Sequence, residues 1–325
     1  MKRYVFVIFA AISTLALLTA VVLADVHSAT YKGSKLCMMC HKTPNAALVK
    51  GYQKSPHSKA MQAAADEGAI VGDFTSNTAF KKEQVAFVLG IGRHEQAYLD
   101  SNYQVLPATW DVKTKAWKPA KPVDGATQCI GCHTTGYNPT TKVAIQNGVG
   151  CEACHGPGGE HVMAPKTTSV VKPATLKPEQ SAMLCGQCHS VGKDPTEKYA
   201  FPVGYRPSDD LAKFFVDGKP TMVGRNQQYS EYITSKHSKA GVTCVTCHDP
   251  HNELLNPDET NKDPNKIGKY PDQLRKPVTE LCLGCHAEKI KDIATHAPNA
   301  PADATCATCH MPEGRHIFAK PEAAK

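Results

Sequence analysis

The sequence predicts a mainly α fold with much irregular chain and only a modest apolar core of its own. Glycine and proline contribute 23 residues each and are spread along all 325 residues, so long helices are interrupted. Hydrophobic residues make up 41% of the chain but form few long amphipathic runs. All 14 cysteines fall in one pattern, Cys-x-x-Cys-His, which recurs seven times.

The first 24 residues have the order of a secretory signal. Lys2 and Arg3 precede an apolar run from Tyr4 to Leu23, and Val22-Leu23-Ala24 offers small residues where a signal peptidase cuts. The run is also long enough to span a bilayer. A signal cleaved after Ala24 and a retained N-terminal anchor are both open. Either places the rest of the chain outside the cytoplasm, in the periplasm, at the cell surface or in the extracellular space.

The cysteine pattern predicts the cofactor. Two thiols three residues apart can form thioether bonds with the two vinyl groups of one haem, and the His directly after them ligates the iron. A zinc site needs no His directly after each pair, and a disulfide framework does not repeat one spacing seven times. We therefore expect seven covalently attached haem c groups, at Cys37/Cys40/His41, Cys129/Cys132/His133, Cys151/Cys154/His155, Cys185/Cys188/His189, Cys244/Cys247/His248, Cys282/Cys285/His286 and Cys306/Cys309/His310.

Eight further histidines could supply the second axial ligand of these irons. The stronger candidates are His57, His161, His237, His251, His296 and His316. Ser55-Pro56-His57-Ser58-Lys59-Ala60 is echoed by Ser235-Lys236-His237-Ser238-Lys239-Ala240, which indicates one small unit used twice. His251 follows His248 too closely to reach the far face of its own haem, so it would serve a neighbour. His27 and His94 are two further candidates, but His27 could instead be a surface residue and His94 could instead cap a turn.

The chain divides into a four-haem part at 25–190, a loop-rich junction at 191–233 without Cys or His, and a three-haem part at 234–325. Pro157, Pro250 and Pro312 each follow a motif histidine by two residues, where a proline ends the short helix. β-branched and aromatic residues between 84 and 117 predict a β-hairpin or small sheet, whose Trp110 and Trp117 we expect to pack on porphyrin. Short spacing makes the motifs at 129 and 151, and those at 282 and 306, the expected stacked haem pairs.

The net charge of +7 does not indicate a nucleic-acid partner. Each ferric haem adds about one negative charge, because two propionates outweigh the iron–porphyrin centre. After loss of Lys2 and Arg3, seven such groups bring the oxidised protein to about −2. Membrane contact is expected only if the N-terminal segment is retained.

Several stretches resemble the multihaem cytochrome c-554 family. They are Tyr31-Lys32-Gly33-Ser34 before Cys37, Ser55-Pro56-His57, Cys132 through Asn138, Gly148 through His161, Ser235 through His251, and Cys309-His310-Met311-Pro312. That family shares its haem arrangement with hydroxylamine oxidoreductases, octahaem tetrathionate reductases and pentahaem nitrite reductases. The resemblance implies stacked and near-perpendicular haem pairs, with His57, His161 and His237 as distal ligands. Pentahaem nitrite reductases attach their catalytic haem through a motif that ends in Lys, whereas all seven motifs here end in His, so no reductase site carries over.

Two functions follow from these residues. If a second histidine occupies the remaining axial position of most irons, the protein transfers electrons between respiratory partners. These could be a quinol oxidase, other cytochromes, a terminal reductase or an external acceptor. If one haem is open, the protein could instead be an oxidoreductase for nitrite, hydroxylamine or tetrathionate, with Arg93, His94 or Tyr98 as proton donor. A structural or sensory haem-binding subunit is a third alternative. The motifs alone do not identify a catalytic residue.

Overall fold

The structure is a computed structural model that describes residues 30–76, 79–166, 169–221, 226–252, 271–288, 290 and 292–318. The predicted signal or anchor segment, and His27, lie outside these ranges. Over the described ranges, no helix has the length and apolar character required to cross a bilayer.

The helices are short, and every Cys-x-x-Cys-His motif lies on or beside one. They are α1 Ser34–His41, α2 Ala46–Gln53, α3 Gly125–Gln128, α4 Ile130–His133, α5 Cys151–His155, α6 Gly159–Met163, α7 Pro178–Gly186, α8 Gln228–Tyr232, α9 Lys236–Lys239, α10 Cys244–Cys247, α11 Val278–His286, α12 Ile293–His296 and α13 Cys306–His310. Short 3₁₀ helices span His57–Lys59, Lys82–Gln84, Pro173–Thr175, Leu211–Lys213, Pro271–Gln273 and Pro312–Gly314.

Local chemistry sets where the motif helices start and stop. Thr243 before α10 and Thr305 before α13 each form a capping box with the threonine three residues on, so two motifs begin in the same way. Helices α5, α10 and α13 end before Pro157, Pro250 and Pro312. The predicted stop positions are therefore confirmed.

A five-stranded antiparallel sheet in the order β1-β2-β3-β4-β5 fills the long gap between the first two motifs. Its strands are β1 Met61–Ala63, β2 Phe87–Leu89, β3 Glu95–Leu99, β4 Ala108–Asp111 and β5 Ala116–Pro119. The sheet extends beyond the region predicted at 84–117, since β1 lies before it and β5 continues to Pro119. Two-stranded ladders pair β6 Thr134–Thr135 with β7 Gln146–Asn147, and β8 Gly192–Lys193 with β9 Val216–Asp217. With this much sheet, the expectation of a mainly α fold holds only in part.

The two faces of the large sheet have different neighbours. One face packs Tyr98 and Trp110 into an aromatic cluster that includes Phe74, Phe80 and Trp117. The tryptophans thus pack on each other and on neighbouring aromatic residues, and their predicted contact with porphyrin stays a prediction. The other face packs Met61, Leu89 and Leu99 against Ile130 of the second motif, and all four side chains are buried. The sheet therefore braces α4.

The described part of the segment 191–233 contains a small buried cluster. Tyr205, Leu211 and Phe215 form a buried cluster against which Tyr229 of α8 packs. The ring of Tyr229 lies over Gly186, where an added Cβ would come within 2.8 Å of the ring. This packing fixes α8 on α7, the helix that carries the fourth motif.

Candidate haem-binding sites

Six of the predicted second histidines each lie opposite a motif histidine from elsewhere in the chain. The separations between imidazole centroids are 6.1 Å for His41–His161, 6.2 Å for His57–His189, 6.3 Å for His155–His251, 6.0 Å for His237–His286, 6.1 Å for His248–His316 and 6.1 Å for His296–His310.

These separations are those expected of two imidazoles on one iron. With each metal–nitrogen bond about 2 Å long, the centroids of two axial imidazoles lie about 6 Å apart. The uniformity of the six values, despite interplanar angles from 22° to 81°, indicates a fixed spacing between rings of varying orientation. Ordinary ring packing has no reason to hold six pairs to one distance, since aromatic pairs range over about 4.5–7 Å.

The Nδ1 atoms of most motif histidines are held by the protein, which leaves Nε2 for iron. Nδ1 lies 2.9 Å from the carbonyl of Ala60 for His133, 2.9 Å from that of Val171 for His155, 3.1 Å from Gln228 Oε1 for His189, and 2.7 Å from the carbonyl of Asp272 for His248. Such contacts orient a ligating imidazole and fix its tautomer.

In the part of the chain that the structure describes, three of the six opposing rings lack such a contact. Within the described residues, the buried Nδ1 atoms of His57, His237 and His316 have no hydrogen-bond partner. Burial lowers the pKa of His57 to about 4, and it also lowers the pKa values of His133 and His189. The neutral imidazole is the form that binds iron, so the donor set fits haem.

His133 of the second motif is different from the other six. Its ring is held by the carbonyl of Ala60, yet no imidazole within the described ranges faces it at the spacing of the six pairs. His94 precedes β3, and its carbonyl accepts a hydrogen bond from the amide of Val112. His27 lies outside the described residues.

The other predicted proton donors are engaged elsewhere. Tyr98 is fully buried in the sheet, where its hydroxyl donates to Gln96 Oε1, and burial raises its pKa to about 12. Arg93 forms an ion pair of 2.8 Å with Asp272.

Contacts between cysteine side chains give the order of the motifs in space. The side chain of Cys37 lies beside that of Cys151, Cys185 beside Cys244, and Cys282 beside Cys306. Gln187 of the fourth motif donates to the carbonyl of Ala153 in the third at 2.9 Å, and Cys247 lies near Cys285. The motifs thus form a row in the order first, third, fourth, fifth, sixth and seventh.

The second motif lies beside this row. Cys132 and Cys188 are mutual neighbours, with each sulfur 3.7–3.8 Å from a carbonyl of the other motif. The expected pairing of the seventh motif with the sixth agrees with this geometry. The second and third motifs were expected to pair because they are close in sequence, but their cysteines instead meet Cys188 and Cys37, since the β6–β7 ladder separates them.

A buried carboxylate that sequence reasoning missed joins three parts of one site. Glu152 lies between the two cysteines of the third motif and is 2% exposed. Its oxygens accept hydrogen bonds from the amides of Lys32, Gly33 and Gly158 at 2.7–3.0 Å. These amides precede α1, which carries His41, and α6, which carries His161. The only sequence signal was an acidic residue inside a motif, and burial cannot be inferred from that.

Glu231 has a similar role near the fifth motif. It is 3% exposed and accepts hydrogen bonds from Arg315 Nε and from the amide of His316, both at 2.7 Å. Gln227 donates to the same carboxylate at 2.9 Å. This network fixes the backbone of His316, whose ring faces His248.

Comparisons with known proteins agree with this geometry. The "Multiheme cytochrome MtrA" of Shewanella baltica (strain OS185) is 27% identical over 208 residues, which are 54% of this chain and 56% of that protein. The "Dissimilatory sulfite reductase MccA" of Wolinella succinogenes is 29% identical over 187 residues, 53% of this chain and 23% of that protein. The matches therefore span less than two thirds of these relatives.

Among solved structures, the "Outer Cell Wall Cytochrome OcwA" superposes with a TM-score of 0.64 at 22% identity. The superposition covers 89% of this chain and 79% of that one, and it shows a shared fold. The family model described as "Outer membrane cytochrome MtrC/MtrF-like, domains II/IV" matches residues 121–320. That range holds most of this chain and six of its seven motifs, so the chain belongs to this family of multihaem cytochromes.

Proposed function

We propose that this protein is an extracytoplasmic seven-haem cytochrome that transfers electrons between redox partners. The observation that carries the proposal is the set of six facing imidazole pairs at 6.0–6.3 Å. Two imidazoles on one iron leave no position for a substrate, so such haems exchange electrons without binding the donor or acceptor. The covalently bound haem supplies the redox chemistry, and the chain sets its ligands, its burial and its neighbours.

The order of the motifs supports a conduit. All six paired sites belong to the row, and neighbouring motifs within it are in contact or close together. Cys40 and His41 at one end of the row are exposed, as is Cys309 at the other, whereas the side chains near its middle are only partly exposed. Electrons could therefore enter and leave at the two ends.

The names of similar proteins favour a place outside the cytoplasm. The matching family is described as an outer membrane cytochrome, and OcwA is named as a cytochrome of the outer cell wall. We infer a periplasmic or cell-surface location, in agreement with the signal-like N-terminus.

Stepwise reduction of the holoprotein tests the main proposal. The mass of the mature protein should correspond to seven haem groups, and titration with a low-potential reductant should reduce seven irons. An EPR spectrum with six low-spin bis-histidine haems supports the conduit. Fewer than six low-spin haems would refute it.

A second candidate function rests on His133. Because no described imidazole faces this ring, the haem of the second motif could present an open position to nitrite, hydroxylamine or a sulfur oxyanion. The site lies beside the fourth motif, so the row could supply it with electrons. Addition of nitrite to the oxidised protein tests this function: a high-spin signal that shifts, with turnover by the reduced protein, supports it. A fully low-spin spectrum that does not respond to nitrite would exclude it.

A further inference from the structure

The first-motif end of the row carries an unusual concentration of positive charge. Six exposed lysines lie on α1, on α2, and on the segments that flank them or hold His161: Lys32, Lys35, Lys42, Lys50, Lys166 and Lys172. Within the described residues none of these six forms an ion pair. These segments bracket one site, because His161 faces His41 at 6.1 Å.

Negative charge is nearly absent from the same segments. Between residues 30–54 and 155–172 the only acidic residue is Glu160, and Glu152 beside them is buried with its oxygens bonded to backbone amides. Arg206 and Asp209 both lie near Tyr31, and their opposite charges offset each other. Even after about one negative charge is assigned to the haem, this end is positive by several charges.

The opposite end of the row has no comparable excess of positive charge. Residues 276–318, around the last two motifs, hold five acidic residues against four basic ones; the acidic residues are Glu280, Glu288, Asp292, Asp303 and Glu313. A negatively charged redox protein would therefore be attracted more strongly to the first-motif end of the row than to the other end. Exposed apolar side chains also lie beside the first site, with Met39 at 74% and Met163 at 83% exposure. A lysine rim around an apolar patch suits short-lived docking.

We propose that the lysine-rimmed surface around His41 and His161 is the docking site for a redox protein with an acidic surface around its own cofactor. The proposal rests on the electron-transfer function proposed above. A protein partner fits better than an anionic membrane, because this surface surrounds an end of the row, where a partner's redox centre must approach closely. During each encounter one electron leaves the partner's cofactor and one haem iron changes from ferric to ferrous.

The test uses reduced flavodoxin, an acidic one-electron donor, with the full-length holoprotein. Stopped-flow absorbance gives the second-order rate of haem reduction at several ionic strengths. The variant Lys35→Glu/Lys42→Glu reverses two rim charges. The matched control Lys113→Glu/Lys121→Glu makes the same change of net charge on exposed lysines of the sheet region. Haem content is checked for each variant by the pyridine haemochrome spectrum.

At low ionic strength we expect the rim variant to react at least about tenfold more slowly than the wild type, with the control close to wild type. Salt should slow the wild type steeply and the rim variant little. Equal rates for the two variants would overturn the proposal, and reduction of all haems in both would leave the electron-transfer function intact. Failure of the wild type to accept electrons from either flavodoxin or dithionite would instead overturn that function.

Two further measurements separate other occupants of this surface. If the rim variant loses binding to phosphatidylglycerol vesicles while its flavodoxin rate is unchanged, the surface contacts a membrane and the proposal is wrong. If sedimentation shows that wild-type self-association disappears in the rim variant with an unchanged flavodoxin rate, the occupant is a second copy of this chain and the proposal is again wrong.

Discussion

Replacement of Glu152 by glutamine should open the first haem site locally. The carboxylate is buried and accepts hydrogen bonds from the amides of Lys32, Gly33 and Gly158. In Glu152→Gln one oxygen becomes an NH₂ group, and whichever way the amide turns, at least one buried N–H then faces another donor. Loss of one charged hydrogen bond together with an unsatisfied amide costs about 3 kcal/mol.

Hydrogen exchange measures this cost at the site itself. A loss of about 3 kcal/mol in the free energy of local opening makes the amides of Gly33 and Gly158 exchange on the order of a hundredfold faster. EPR should also show a weakened low-spin signal from the haem between His41 and His161. The control Glu160→Gln changes an exposed acid on α6 and should alter exchange by less than about 0.5 kcal/mol. Wild-type exchange at both glycines in Glu152→Gln would refute the bracing role of this carboxylate.

Three other perturbations have definite outcomes. Burial raises the pKa of Glu231, but hydrogen bonds from Arg315 and the amide of His316 outweigh it, so the pKa lies below its usual value. The stability from this carboxylate is therefore present above about pH 4.5 and is lost as the pH falls through the lowered pKa. The protection of the His316 amide, which is its exchange rate relative to the intrinsic rate at the same pH, should fall there and stay constant from about pH 6 to 7. His316→Ala should turn one low-spin haem high-spin, with seven haems still attached; an unchanged EPR spectrum would contradict the pairing with His248. Ile130→Ala removes a fully buried side chain between the sheet and the second motif and should lower the unfolding free energy by about 2–5 kcal/mol in denaturant titrations, whereas a loss below about 1 kcal/mol would show that the sheet does not brace α4.

Local sequence patterns predicted the local features well. The Cys-x-x-Cys-His motifs lie on or beside short helices, three of which stop before the prolines at 157, 250 and 312. His251 was expected to serve a neighbouring motif because it follows His248 too closely, and its ring lies opposite His155. These inferences depend on bond lengths and on residues within one or two helical turns.

Features set by distant contacts could not be predicted in the same way. A hairpin or small sheet was expected only between residues 84 and 117, and β1 lies outside this region because three residues carry too little pattern to predict a strand. Gln96 interrupts the apolar pattern of β3, although its side chain is buried and donates to the carbonyl of Ala69. The spatial neighbours of the second and third motifs were missed because sequence spacing does not determine where a ladder such as β6–β7 directs the chain. Glu152 and Glu231 look like surface acids in the sequence, and only the fold buries them.

Combined mass spectrometry and EPR of the oxidised holoprotein test the seven-haem conduit most directly. The predicted result is seven covalently bound haems, of which at least six are low-spin with two histidine ligands; the spin state of the haem on His133 decides between the two candidate functions. Seven low-spin haems would remove the open site and leave the conduit. Fewer than seven haems would contradict the seven-haem prediction, and fewer than six haems with two histidine ligands would contradict the assignment of the six facing imidazole pairs as axial ligands.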